Sequence, residues 1–172
     1  QIKAFKDNVS IKSCLSYTFS VSNSQGTSLI KDRPFTAEMT RSIMLLKEKH
    51  YRPRMADYRI GVFFTGREQL GEGAKTTAPV YYANRWDIQP SDTAAYLRGE
   101  KVKPTKQIVF YIDNTFPEKW KPYLREGVTQ WNELFEQIGF KDVVAAKDFP
   151  TDDPEFDPDN IKYSCVRYAP SS

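Results

Sequence analysis

Histidine is nearly missing from this chain: His50 is the only one in 172 residues, and cysteine occurs twice, at Cys14 and Cys165. That scarcity removes whole classes of chemistry. A zinc centre needs several His, Cys or carboxylate ligands at workable spacing, and no His-Glu-x-x-His run occurs. His50, in KEKHYRPR, reads as a surface or strand-end residue rather than a ligand. A Ser or Cys nucleophile needs a neighbouring base, and His50 is the sole imidazole; there is no Gly-x-Ser-x-Gly elbow and no Gly-rich phosphate loop behind a strand. The two cysteines allow one disulfide at most and lack metal-ligand spacing, so a buried thiol is expected for each. No apolar run approaches the roughly 18 to 20 residues of a membrane span, and no signal peptide is present. The sequence starts at Gln1 rather than Met, which suggests a processed product or an excised piece of a longer protein.

The chain is rich in aromatics, with 11 Phe, 10 Tyr and 3 Trp, and its net charge of +3 is small but unevenly spread. Most of the excess Lys and Arg lies in residues 1–60, while the stretch after Lys141 is acidic. Such a split suits two faces of one fold, or two lobes in contact, better than a nucleic-acid binder. The basic run Lys47, Lys49, Arg52, Arg54 and Arg59, mixed with Tyr51 and Tyr58, reads as a charged strand end or docking face. The acidic stretch DFPTDDPEFDPDN holds Asp148, Asp152, Asp153, Glu155, Asp157 and Asp159 but lacks the Gly of an EF-hand, and reads as a solvated loop. Paired carboxylates such as Asp152 and Asp153 lack the apolar surroundings that raise a pKa for acid–base work.

Local signals agree best over Gln107–Phe140. Ile108 to Ile112 is a short apolar, β-branched and aromatic run that predicts a buried strand. Thr115 and Glu118 have capping-box spacing, and Pro117 suits a first helical turn. Trp120, Leu124, Val128, Trp131, Phe135 and Ile138 then recur every three or four positions, predicting one long amphipathic helix with that stripe in the core. Gly139 stands where a left-handed cap would close it, with Phe140 within reach of Phe135. Val143 to Ala146 predicts a strand parallel to Ile108–Ile112, completing a βαβ unit.

The first hundred residues read as β-structure. A turn is expected near Asn8, then a strand to Val21 with Leu15, Tyr17, Phe19 and Val21 on one face, then a hairpin loop over Asn23 to Gly26. Phe35 to Leu46 fits both helical and strand periods; its neighbours favour strand. Further strands are expected over Arg59–Phe64, Pro79–Ile88 and Lys162–Ala169, with a mobile loop over residues 67–78. Ser91 or Asp92 would cap a short helix ended by Gly99, and Lys101 to Lys106 makes a lobe boundary. The expected architecture is therefore α+β: an antiparallel β-rich lobe over residues 1–103, then the βαβ unit over 104–172. One helix would leave one face of that parallel sheet uncovered, so the second lobe reads as unfinished.

The stretches IVFYIDNTFPEKWKPYLREGVTQWNELFEQIGFKDVVAAKD and DDPEFDPDNIKYSCVRY resemble the opening of the catalytic domain of large bacterial zinc-dependent metalloproteases, metzincin-like enzymes of the His-Glu-x-x-His class. MTRSIMLLKEKHYRPRMADYRIGVFF and NRWDI are similar to the β-rich domain upstream of catalysis in the same family. The resemblance implies an exported peptidase parent acting on peptides or proteins, with zinc in the parent and the remainder of the catalytic domain as this chain's partner. The zinc ligands and general base have no counterpart before Ser172, so this portion is expected to hold no cofactor and no catalytic residue, and to bind no nucleic acid. In some metalloproteases an upstream Cys or Asp blocks the zinc; Cys14 or Asp57, in RPRMADYR, is the candidate for such a switch. The other reading is a self-contained protein- or carbohydrate-binding module using its aromatic-rich β lobe.

Overall fold

A computed structural model describes residues 1–46, 51–71 and 76–170. The fold mixes α and β structure and is mostly strand. Strand β1 (Ile2–Ala4) turns over Phe5 to Asn8, where the Phe5 N–H donates to the Asn8 carbonyl at 2.8 Å. Strands β2 (Asn8–Ser22) and β3 (Ser28–Met44) form a long hairpin, giving an antiparallel sheet in the order β1-β2-β3. Its tip closes because the Asn23 carboxamide accepts from the Gln25 and Thr27 amides at 3.1 and 2.8 Å, while Gly26 takes φ +80°.

Directly paired residues share a face. Leu15 lies opposite Ala37, Tyr17 opposite Phe35 and Ser13 opposite Met39, so one face of the ribbon is apolar. The other pairs Lys12 with Thr40, Ser16 with Thr36 and Ser10 with Ser42, and is polar. The expected alternation therefore holds until the register slips after Phe19, and the stretch from Phe35 is strand. The apolar face is largely uncovered: Tyr17, Phe19, Phe35 and Met39 are all exposed.

Strands β4 (Phe64–Leu70) and β5 (Thr77–Ala83) form a second antiparallel hairpin. Three expectations change here. Arg59 to Phe63 is not strand, because the Asp57 carboxylate binds both the Arg59 amide (3.0 Å) and its guanidinium, and the Ile60 N–H closes onto the Asp57 carbonyl at 3.0 Å. Conversely, Arg67 to Leu70, expected as loop, pairs with residues 77–80. Little apolar content is needed there, since Arg67, Glu68, Gln69 and Leu70 are all exposed. Part of that expected loop, residues 72–75, lies outside the described residues. The strand expected to run to Ile88 stops at Ala83, flanked by the Met55 bridge to Tyr82.

Helix α1 (Thr93–Leu97) is capped by Asp92, whose carboxylate accepts from the Ala95 amide at 2.9 Å, and Gly99 follows at φ +85°. Strand β6 (Ile108–Ile112) is the middle of a parallel three-stranded sheet, flanked by β7 (Val144–Asp148) and β8 (Ser164–Val166). Its hydrophobic core gathers Ile108, Phe140, Val143 and Val144, and also Ala95 and Val102 from the near side of the boundary expected at 103/104.

The long amphipathic helix is not formed. A 3-10 turn over Glu118–Trp120 leads into α2 (Lys121–Thr129), and α3 (Trp131–Gln137) follows beyond Gln130. The Thr129 hydroxyl donates to the Arg125 and Glu126 carbonyls at 2.9 and 3.2 Å, the back-bonding that bends helices. The capping box is absent too: the Thr115 amide and hydroxyl are both held by the Asp113 carboxylate, at 2.9 and 2.8 Å. The expected stripe is broken as well. Trp131 is 59% exposed and Ile138 56%, while Asn132 turns inward between Val128 and Phe135. The end is as expected: Gly139 takes φ +86° and the Phe140 N–H reaches the Phe135 carbonyl at 3.0 Å.

Nor is the parallel sheet open on one side. Phe110 packs against the core cluster, as do Val128 of α2 and Phe135 of α3. Tyr111, on the opposite face, meets Phe156 and Tyr163 with ring centroids 5.2 and 5.4 Å away. The acidic loop supplies the cover that a second helix would give, with the Phe149 ring tilted against Phe156 at 4.9 Å between centroids.

Candidate functional site

After β5 the chain crosses to the N-terminal end of β6, leaving a groove of about 850 Å³ between the two. Trp86 forms one wall. Its indole meets Phe110 edge-on, with centroids 6.2 Å apart, yet 53% of the residue stays exposed. Tyr51 faces it from the segment before β4; its hydroxyl donates to the Arg85 carbonyl at 3.2 Å, and the Arg85 guanidinium lies 4.6 Å above its ring. Arg85 is fixed further by donating to the Arg52 carbonyl at 2.6 Å.

The remaining lining is polar and oriented. Gln89 donates to Asp87 at 2.8 Å and Gln107 donates to the Asp142 carbonyl at 2.8 Å. The Thr105 N–H ties the two sides by donating to the Gln89 carbonyl at 2.8 Å. Lys106 forms no hydrogen bond or ion pair with a described residue. The groove thus offers a flat aromatic surface, two cations, a carboxylate and two amides. Among the described lining residues no hydroxyl nucleophile is hydrogen-bonded to a side-chain base.

A second groove, about 740 Å³, lies where the first sheet meets the acidic loop. Lys3 bridges Asp157 and Asp159 there at 2.9 and 2.8 Å. Those hydrogen bonds raise the Lys3 pKa. Burial works to raise Asp157, but the Lys3 hydrogen bond, the Asp159 amide and the charges of Lys3 and Arg167 outweigh it and hold the carboxyl below its ordinary range. Asn8, only 3% exposed, donates to the Ser42 hydroxyl (3.0 Å) and the Asp159 carbonyl (2.9 Å) and accepts from the Ile161 amide (3.2 Å). Asn8 was legible only as a turn residue. The signal pointing to this junction was the basic start and acidic end of the chain.

The residues singled out in the sequence are not brought together. His50, Lys47 and Lys49 lie outside the described residues. Cys14 is exposed on the polar face of the ribbon opposite Glu38, and Cys165 is half-buried in β8; both are free, so the expectation of a buried thiol fails for Cys14 because the ribbon is solvated on that face. Burial pushes the Cys165 thiol up, with Asp113 and Asp157 acting in the same direction and Arg167 against. Asp57 is engaged by Arg59, whose hydrogen bonds lower its pKa. Among the described residues no three His, Cys, Asp or Glu side chains gather in metal-binding geometry, and no helix is long and apolar enough to cross a membrane.

A mixed chain of exposed antiparallel ribbons joined to a small parallel sheet is the class this geometry defines. The chain belongs to the family described as Domain of unknown function (DUF5117), which matches residues 1–91. Neither a curated protein nor a solved structure matches it.

Proposed function

We propose that this chain is a non-catalytic accessory and scaffold portion of an exported zinc-dependent metallopeptidase, whose zinc site and peptide-cleaving machinery reside in the remainder of its catalytic domain. The peptidase part of this reading rests on the resemblance of residues 38–64 and 104–168 to such enzymes. The same resemblance assigns the zinc to the remainder of the parent.

The observation that carries the accessory role is surface area. The chain exposes 14005 Å², whereas a compact globule of 19.9 kDa exposes about 8,700 Å². The hairpin of β2 and β3 contributes to the excess, its apolar face presenting Tyr17, Phe19, Phe35 and Met39 to solvent. A face of that kind is suited to cover by further polypeptide.

The test is the native mass of the protein in its source cells, captured with an antibody against this chain, with zinc assayed on the captured material. The expected result is a species several times heavier than 19.9 kDa carrying about one zinc per chain. A zinc-free species near 20 kDa would sink the proposal.

A further inference from the structure

We infer that the groove beside Trp86 binds a pyranose unit of a carbohydrate chain, and favours a sugar bearing a carboxylate over a neutral one. Sugars are recognised by a flat aromatic surface under the ring, together with planar polar groups aimed at the hydroxyls. Both are present. The Trp86 indole is braced at its edge by Phe110 and open elsewhere. Asp87, Gln89 and Gln107 are each held by one hydrogen bond and each keeps a further oxygen for a ligand. The groove volume of about 850 Å³ accommodates two or three sugar units.

Other ligand classes fit less well. A peptide added as a strand needs a long open sheet edge, but β6 is paired with β7 throughout and with β8 over Phe110–Ile112, and only Ile108 of β6 lines the groove. A peptide side-chain anchor needs a deep apolar pocket, and the only buried apolar residue in the lining is Ile108. Arg85 and Lys106 together outweigh Asp87, and that excess of one positive charge selects a uronic acid over a neutral sugar. The polar lining also separates this groove from the apolar ribbon face, so the inference stands whether or not the chain serves a peptidase.

The experiment is a calorimetric titration of the 172-residue chain with trigalacturonate, with cellotriose, and with a triglutamate peptide as a charge-matched control, with the indole N–H resonance of Trp86 followed in every chain that keeps it. Trigalacturonate is expected to shift that resonance to saturation below about 10 mM, with cellotriose weaker. Trp86→Ala should weaken binding by about tenfold or more, and Lys106→Ala should erase the preference for the uronate. Should Trp86→Ala disturb Phe110, Gln89→Ala, in an exposed residue, must produce the loss instead. No shift with either sugar, unchanged binding in both variants, or tighter binding of triglutamate would overturn the inference. Equal binding of both sugars would overturn the charge preference.

Discussion

Asn132 and Val144 are joined twice: the Asn132 amide donates to the Val144 carbonyl at 2.9 Å, and its oxygen accepts from the Val144 amide at 2.8 Å. The same oxygen takes the Val143 amide at 2.9 Å. One side chain on α3 thus satisfies the entry to β7, where Val143 is fully buried. Asn132→Ala would strand two donors and an acceptor, costing about 2 kcal/mol, only slightly offset by the better helix propensity of Ala. Asn132→Asp keeps the acceptor and should fall between. Urea midpoints at constant m-value would measure both; equal midpoints for Ala and wild type would refute the role.

Two glycines should respond with opposite signs. Gly139 sits at φ +86°, and a Cβ there would lie 3.0 Å from the Tyr96 ring. Gly139→Ala therefore combines a left-handed penalty of about 1 kcal/mol with a clash, and should destabilise by about 1–3 kcal/mol. Gly127 lies within α2, and a Cβ there meets nothing within 4 Å. Gly127→Ala should stabilise by about 0.5–1 kcal/mol. Thermal melts of the two variants against wild type decide it.

The contrast between these sites shows what the residues alone reveal. Gly139, the Asp92 cap and the Asn23 turn were legible because their chemistry is local: a left-handed residue or a short side chain bonding its own backbone. The helical stripe misled, since a period of 3.6 names a face without saying how far the helix runs straight. The run is interrupted at Gln130, beside the Thr129 hydroxyl that bonds the Arg125 and Glu126 carbonyls, and the inward place in the first turn of α3 goes to Asn132, whose value depends on amides eleven and twelve residues away. The acidic loop misled for a related reason. Its charges suggested solvent, but Phe156 within it and Tyr163 just beyond it cover Tyr111, with Phe149 behind Phe156. The groove at Trp86 joins residues from three separate stretches, and no local pattern in any one of them announces it.

On the ribbon, Tyr17 and Phe35 stack with centroids 5.4 Å apart on a face open to solvent. Phe35→Ser should cost the chain less than about 1 kcal/mol, the worth of an exposed cross-strand pair, against about 3–5 for a buried Phe. The same substitution should sharply lower the fluorescence of the apolar dye ANS bound to the chain. A loss of stability typical of a core residue would mean that this face is covered within the chain itself.

Lys3 ties the first sheet to the acidic loop, and its contribution should depend on pH from both ends. The folded pKa of Asp157 lies below its ordinary 3.8, so the stabilisation is fully present above that value and is lost as pH falls through the folded pKa. The folded pKa of Lys3 lies above its ordinary 10.5, so its contribution is fully present below that value and is lost as pH rises through the folded pKa. Lys3→Ala should therefore cost a constant amount across the pH range between those two values, and the difference from wild type should shrink beyond either limit. With the Lys3 side chain 31% exposed, the plateau should be about 1 kcal/mol and fall in 1 M salt. Urea denaturation of both chains from pH 2 to 12 measures the difference directly; a cost that ignores pH and salt would show that Lys3 acts through packing of its aliphatic stem and not through its charge.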